Sequence, residues 1–555
     1  MRLTRQTVIR TATALTAALH LHVAIAAVPQ ARPADQPLDV EERQPAPETA
    51  LEQPHAPAAV QPQAGGDEPR VTLREIRIEG NRLIPTDELL QTVQTYIGKP
   101  VSSADLEAIR LRLTRHYIDQ GYINSGALLP DQAVNRGIVT YLIVEGTLND
   151  VTLGKSELLR ESYLRKRILK GNRRALNIET LRNNLTALRN NPNIRNLHAE
   201  LVPGKTFGTS SLLVDIVDNT RHAATVSLDN YSPPSIGEKH ISVAYRNGSL
   251  FKGSERLDLV LQATEGLREA SVNFALPVNA DDVEFFIGVN RSEADVVEEP
   301  FDRLNIFSET RAVSIGLQWP LLRSLNDADS FSISLDRRES KTALFDEPFS
   351  FSQGFVDGRA TVAALRIANH WRRSQPGYTL AMRTLLSRGL DALDSSINEN
   401  IPDSDYTSLV NQFIFLRRFD NPRYELLLRN DIQWASEPLL SMEQFSSGGV
   451  NSVRGYRENR IVSDRGLFAS AELRYRATPA LGLSVFTDYA NADNQDRPLN
   501  GEDTLYSAGL GLSWRIGSYS RLELEWAEAL SGDNNNDDSL QARGVHLSFS
   551  STVDF

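Results

Sequence analysis

The chain has no cysteine among its 555 residues, so no disulfide staples it. After the opening stretch it has no run of about 18 or more apolar residues, which excludes a membrane-crossing helix from the rest of the chain. Positive charge is scarce: 59 Lys and Arg stand against 71 Asp and Glu, a formal charge of −12. A nucleic-acid partner would call for a basic face, so none is expected. Catalytic signatures are missing in the same way. There is no G-x-S-x-G elbow and no H-E-x-x-H pair. The nine His are scattered and make no ligand cluster. Gly204-Lys205-Thr206 ends like a phosphate-binding loop, but Ala199 stands where its first glycine belongs. The sequence predicts no enzymatic activity, no metal and no cofactor.

What is present begins with Arg2, Arg5 and Arg10, followed by an apolar run from Ala12 to Ala27 that is interrupted by His20 and His22. Ala24-Ile25-Ala26 has the small-x-small form of a cleavage site. Residues 1–26 read as a secretory signal peptide cut after Ala26, and export fits a bacterial envelope. Residues 27–70 are rich in Pro, Ala, Gln and Glu, cannot bury a core, and read as a linker.

Composition changes at Val71. A strand-like stretch is followed by two helical ones. The second carries a capping-box pattern at Ser102 and Asp105, with Leu106, Ile109, Leu113 and Tyr117 on one face. Two further strands complete a β-α-α-β-β order over 71–146. The order repeats over 147–218, where Leu181, Leu185 and Leu188 share a helix face.

From 221 to 555 the helical period disappears and about sixteen strand-like runs follow one another. The last is "GVHLSFSSTVDF". Val545, Leu547, Phe549, Val553 and Phe555 have one parity, and His546, Ser548, Ser550 and Asp554 the other. Connections alternate in length. Short ones carry turn residues ("PVNADD", "FDNPR", "GSYS"), and long ones hold much of the acid. A membrane barrel has tight turns at one end and long loops at the other, whereas a β-sandwich has no reason for such alternation. The fold class expected is therefore α+β modules followed by an all-β membrane barrel of about 16 antiparallel transmembrane strands. One connection, 436–465, is the longest, and by strand count it lies on the external side.

Three stretches carry a family resemblance: "GYINSGALLPDQAVNRGIVTYLIVEG" at 121–146, "VRGY" at 453–456 and "FTDYA" at 486–490. Together with two such modules before a barrel, they resemble the TpsB transporters of two-partner secretion, the haemolysin secretion/activation family. The β-α-α-β-β units then resemble POTRA domains, at 71–146 and 147–218, with the barrel at 221–555. The resemblance implies a protein of the bacterial outer membrane with its POTRA domains in the periplasm. It would bind an unfolded exoprotein bearing an amino-terminal secretion domain and secrete it through the barrel. Outer-membrane lipid, periplasmic chaperones and the barrel assembly machinery are further implied partners. The alternative is a factor that inserts other barrels, although members with that task usually carry three or more POTRA modules. "YINSGALLP" is the candidate client-docking edge, with Tyr122, Ile123, Ser125, Leu128 and Leu129 as docking residues. A plain structural strand is the competing reading. Some members carry a plug helix. Nine prolines between 28 and 70 leave only a short helical piece, Leu38 to Arg43.

The resemblance also assigns Val453, Arg454, Gly455 and Tyr456 to a loop tip, and Phe486 and Asp488 to the wall that receives it. Ala490 stands where the family usually has glycine. Strand parity independently turns Phe486, Asp488 and Glu472 inward and Leu483, Val485 and Tyr489 outward. Spacing alone leaves open a solvated Arg454, and Glu472 is a rival partner to Asp488. A dry pair would lose about 3–5 kcal/mol on removal of one partner, and a wet one about 0–1 kcal/mol.

Overall fold

The computed structural model describes residues 70–324, 326–399, 402–494, 499, 502–532 and 539–555. The expected signal peptide with its cut at Ala26, and the linker with its short helical piece, lie outside the described residues. None of the helices described is long and apolar enough to cross a membrane.

Two units are distinguished by their internal packing. The first contains both small modules. Module one consists of β1 (Glu75–Glu79), α1 (Thr86–Val93), α2 (Ser103–Asp119), β2 (Gly126–Leu128) and β3 (Ile138–Val144). β3 lies between β1, which is parallel to it, and β2, which is antiparallel. The predicted capping box forms at α2: Ser102 Oγ accepts from Asp105 N at 3.2 Å, and Ser102 N donates to Asp105 Oδ2 at 2.9 Å. The helix therefore starts at a fixed residue and presents one face. Ile109, Leu113 and Tyr117 are fully buried against Ile76, Leu89, Val139 and Tyr141, while Leu106 is only half-buried at the margin.

Module two repeats the plan with β4 (Thr147–Leu153), α3 (Glu161–Ile168), α4 (Ile178–Arg189), β5 (Ile194–Pro203) and β6 (Thr209–Asp218). Asn177 caps α4, and Leu181, Leu185 and Leu188 enter the core. β6 is central, so β5 is paired on one side only. The modules are joined by direct hydrogen bonds. Leu176 N donates to Gly146 O and Ile178 N to Gly121 O, both at 2.9 Å, and Asn124 Nδ2 reaches Ser210 Oγ at 3.2 Å.

The second unit is a closed antiparallel barrel of sixteen strands: β7 (His222–Asp229), β8 (His240–Asn247), β9 (Arg256–Ala263), β10 (Leu267–Pro277), β11 (Glu284–Asp295), β12 (Phe307–Arg323), β13 (Asp327–Leu344), β14 (Arg359–Gln375), β15 (Tyr378–Gly389), β16 (Thr407–Arg418), β17 (Tyr424–Ala435), β18 (Arg465–Arg476), β19 (Leu481–Asp493), β20 (Thr504–Ile516), β21 (Ser520–Ala529) and β22 (Val545–Asp554). β22 pairs with β7, and His222 and Phe555 exchange two backbone hydrogen bonds of 2.9 Å, which closes the wall and leaves no edge.

Alternation sorts the side chains as the sequence suggests. Val226, Leu261, Val289, Leu386, Val485, Leu510 and Val553 are exposed on the outer surface, while their odd-even neighbours turn inward. At the end where β7 begins, most turns are short, among them 278–283, 376–377, 419–423, 477–480 and 517–519, with 248–255 longer. The opposite, far end carries 296–306, 345–358, 390–406, 436–464, 494–503 and 530–544. One far-end connection, 264–266, departs from the pattern. Gly266 lies so close to Asp295 O that a Cβ there would clash, and the tight turn is covered by Ile236.

Candidate functional site

The connection 436–464 leaves β17, crosses the bore and returns to β18. Its base is fixed by a buried ion cluster on β13 and β14. Glu443 accepts from Arg366 Nη2 at 2.8 and 3.0 Å and lies 3.7 Å from Arg338, and Arg366 Nε reaches Asp336 at 2.6 Å. Gln433 of β17 donates to the carbonyls of Glu443 and Asp464, and Asp464 accepts from Leu439 N and Gln444 Nε2. Both legs of the loop are thereby tied to the strand from which it departs.

The tip meets the inner wall at β18, β19 and β21. Arg454 is 2% exposed and uses every nitrogen of its guanidinium. Nε and Nη2 grip Asp488 at 2.7 and 2.9 Å, and Nη1 reaches Glu472 at 2.9 Å and Glu525 at 3.0 Å. Nη2 also approaches Ser470 Oγ at 3.4 Å, and Ser470 donates to Asp488 at 2.6 Å. The backbone joins in: Arg454 N donates to Asp488 Oδ2 at 3.2 Å. A planar fork with five donors suits this array, and an ammonium does not.

The wall is built by register. Ser470 lies opposite Asp488 and Glu472 opposite Phe486 on β18 and β19, so four partners of one arginine form a square. The Arg454 guanidinium carbon sits 3.3 Å from the centroid of the Phe486 ring, a desolvated cation–π contact. The ring fits because Gly509 lies opposite Phe486 on β20, where a Cβ would come within 2.4 Å of the ring. Asp488 is 1% exposed, so the pair is dry and the larger of the two energies applies.

The neighbours of Arg454 hold it in place. Gly455 has φ +94°, and a Cβ there would lie 3.0 Å from Ala527 O. Gly455 N donates to His546 Nε2 at 3.4 Å. Tyr456 Oη is within 2.7 Å of Ser531 O and 3.0 Å of Tyr506 O, and it accepts from Ser531 N at 3.0 Å. Val453 and Tyr456 are buried with Phe445, Ile461, Phe468, Ala490 and Leu505. Ala490 therefore adds a methyl group to the tip's apolar seat. Arg457 reaches Glu298 at 2.9 Å, and Glu458 N donates to Gln541.

The structure thus brings together Val453, Arg454, Gly455, Tyr456, Phe486 and Asp488, and it makes Glu472 a second partner alongside Asp488. Sequence reasoning missed Glu525, Ser470 and the Arg366–Glu443 base. The parity of "RLELEWAEAL" already turned Glu525 inward; only the register could place it at the tip.

The docking stretch is divided differently. Leu128 lies on β2, the three-residue edge of module one, and Leu129 follows it. Tyr122, Ile123 and Ser125 lie before the strand. Tyr122 N donates to Tyr117 O, closing the turn after α2, and the ring packs on module one's core. Ile123 packs on module two's core, and buried Ser125 accepts from Gly146 N at 2.8 Å. Ile123 thus bridges to module two, and none of the three lies on the edge strand.

A family model described as "Haemolysin secretion/activation protein ShlB/FhaC/HecB" matches residues 208–514, more than half of the chain, and one for the ShlB-type POTRA domain matches 71–146. The heme/hemopexin transporter protein HuxB of Haemophilus influenzae is 23% identical over 494 residues, covering 84% of this chain and 85% of that protein. The outer membrane transporter CdiB of Escherichia coli O6:K15:H31 is 22% identical over 517 residues, covering 87% and 83%. Among solved structures, CdiB from Escherichia coli superposes with a TM-score of 0.67 at 17% identity, covering 90% of this chain and 93% of that one. BamA from Haemophilus ducreyi gives 0.52 at 13%, covering 87% and 100%, a likeness of fold alone. The chain belongs to the haemolysin secretion/activation family, as an outer-membrane β-barrel transporter with periplasmic POTRA domains.

Proposed function

We propose that this transporter takes one unfolded exoprotein from the periplasm, engages its amino-terminal secretion domain with the POTRA modules, and passes it through the barrel. Folding of the exported chain outside would supply the drive, without enzymatic chemistry by the transporter. The supporting observation is the loop 436–464. It occupies the bore and is fastened at its tip by side chains, the kind of contact that rearranges without breaking the wall. For engagement, β5 is a better edge than β2, because it offers ten residues paired on one side only.

The test is co-expression with a candidate exoprotein, comparing full-length protein with a variant lacking 147–218 and with one carrying Val202→Pro on β5. Secretion should fall in both at equal barrel levels. Secretion that survives removal of the module would refute engagement through it.

A further inference from the structure

On the outer surface of the barrel, the far ends of β11 to β14 carry charge where an apolar or aromatic residue would be ordinary. Arg291, Arg311, Arg337, Lys341 and Arg359 all have the parity of exposed Val289, Val313, Leu335 and Leu365, so they point away from the bore. Three of them follow the apolar band directly, one outward position beyond Val289, Val313 and Leu335. At the near ends of the same strands, the same parity carries Trp319, Phe331 and Trp371.

Two acids of the group, Glu309 and Glu339, are much less exposed than the cations they bind. Glu309 receives Arg291 at 3.0 Å and Arg311 at 2.7 Å. Glu339 receives Arg337 at 3.0 Å and both Lys341 and Arg359 at 3.3 Å. The Glu309 and Glu339 side chains are 13% and 11% exposed, whereas Arg291, Arg311, Lys341 and Arg359 are 46–56% exposed. Arg291 and Arg311 are direct cross-strand partners, an arrangement that costs stability unless something neutralises it. With Glu293 included, five cations face three carboxylates. The row is densest on β11 to β14; β10, β15 and β18 each add one outward far-end cation, Arg268, Arg388 and Arg465. Equivalent far-end positions on β19 to β22 and β7 carry Tyr489, Asn491, Tyr506, Trp526, Glu528, Val545 and Leu228, with no cation among the described residues.

We propose that this row is a docking band for a phosphate-bearing anionic lipid of the external leaflet. The acyl chains would lie on Val289, Val313, Leu335 and Leu365, and the phosphates would be held by the exposed guanidinium groups. The half-buried glutamates act as positioning residues, holding the cations splayed at headgroup height. The proposal rests on the outer-membrane location and does not depend on how the client is transported.

The experiment uses full-length protein in detergent, titrated with lipopolysaccharide that carries its lipid phosphates and with the same preparation after dephosphorylation. Bound lipid is quantified after washing. Variant R291Q/R311Q/R359Q keeps hydrogen-bond donors but removes three charges, and it should need about a hundredfold more lipid for half-saturation. R373Q, an outward cation at the near end of β14, should bind as the unsubstituted protein does, and dephosphorylated lipid should bind the unsubstituted protein as weakly as intact lipid binds the triple variant. Unfolding of the triple variant would show as loss of heat-modifiable mobility, and the single variant R291Q, with an expected weakening of about fivefold, then carries the test. Binding by the folded variant within about twofold of the unsubstituted protein, or equal binding of the dephosphorylated lipid, overturns the proposal.

Discussion

Replacing Arg454 with alanine removes the cation that Asp488, Glu472 and Glu525 all bind at the loop tip. Among the described residues Asp488 keeps only Ser470 as a side-chain donor, and Glu472 keeps Arg474 at 2.8 Å. Breaking a buried pair from one side costs about 3–5 kcal/mol. The stacked guanidinium over Phe486 is worth about 2 kcal/mol more if counted separately, but the two terms share one side chain and are not additive. On 3–5 kcal/mol alone, the population with an undocked tip rises by roughly a hundred- to several-thousand-fold. The wall itself should survive, because the sixteen-strand ladder and the Arg366–Glu443 base are untouched. Trypsin added to intact cells reads the tip directly. Arg457 is buried in the docked loop and tied to Glu298. The unsubstituted protein should resist cleavage between 454 and 460, whereas R454A should be cut while remaining a heat-modifiable barrel, and its secretion should fall. R454K should lie between them, because one ammonium cannot reproduce the fork. Resistance of R454A equal to that of the unsubstituted protein, at equal barrel levels, would refute the reasoning.

Other perturbations separate the loop's parts. Y456F leaves Ser531 O and Tyr506 O without their hydroxyl partner and should loosen the tip by about 1–3 kcal/mol, read as faster trypsin cleavage with unchanged barrel assembly. E443Q withdraws a buried charge from Arg366 and Arg338 at the base. It should lower the temperature at which the barrel loses its folded mobility, an effect R454A should lack. In module one, S102A should cost about 1 kcal/mol through its cap, read by thermal unfolding of the modules. The Asp105 carboxyl is held below its usual range by the Ser102 backbone N–H and then by its hydroxyl. A depressed folded value means that this contribution is present above the ordinary aspartate range and is lost as pH falls through the folded value. The S102A deficit should accordingly be full at neutral pH and shrink in acid.

Much of the fold was legible because it depends on period. Two-residue alternation sets which side of a barrel strand faces lipid, so Asp488 could be turned inward and Val485 outward without a structure. The same holds for the helix faces of Leu113 and Leu185. What stayed hidden depends on pairing between distant strands. Glu525 stands 71 residues from Arg454, and Arg366 stands 77 from Glu443, so no local pattern ties them together. The docking stretch was legible only in part, since Leu128 lies on the edge strand and Tyr122 and Ile123 do not. Tyr122 and Ile123 are apolar because they fill a turn and the seam between two cores, a pattern that imitates a short strand. The energy regime of the arginine was likewise unreadable, since only burial separates a dry pair from a wet one.

The most direct measurement of the docked loop exploits the absence of cysteine from the chain. A Cβ placed at Gly455 would lie 3.1 Å from Ala527 Cβ, a few tenths of an ångström short of the roughly 3.5–4.5 Å that a disulfide requires. The variant G455C/A527C, despite the strain of a side chain at a φ of +94°, should form that bond spontaneously in intact cells. Its barrel should leave no thiol open to a maleimide until reductant is added. Two freely labelled thiols in a folded, heat-modifiable barrel would contradict the placement of the tip against the wall, and with it the account of how the bore is held.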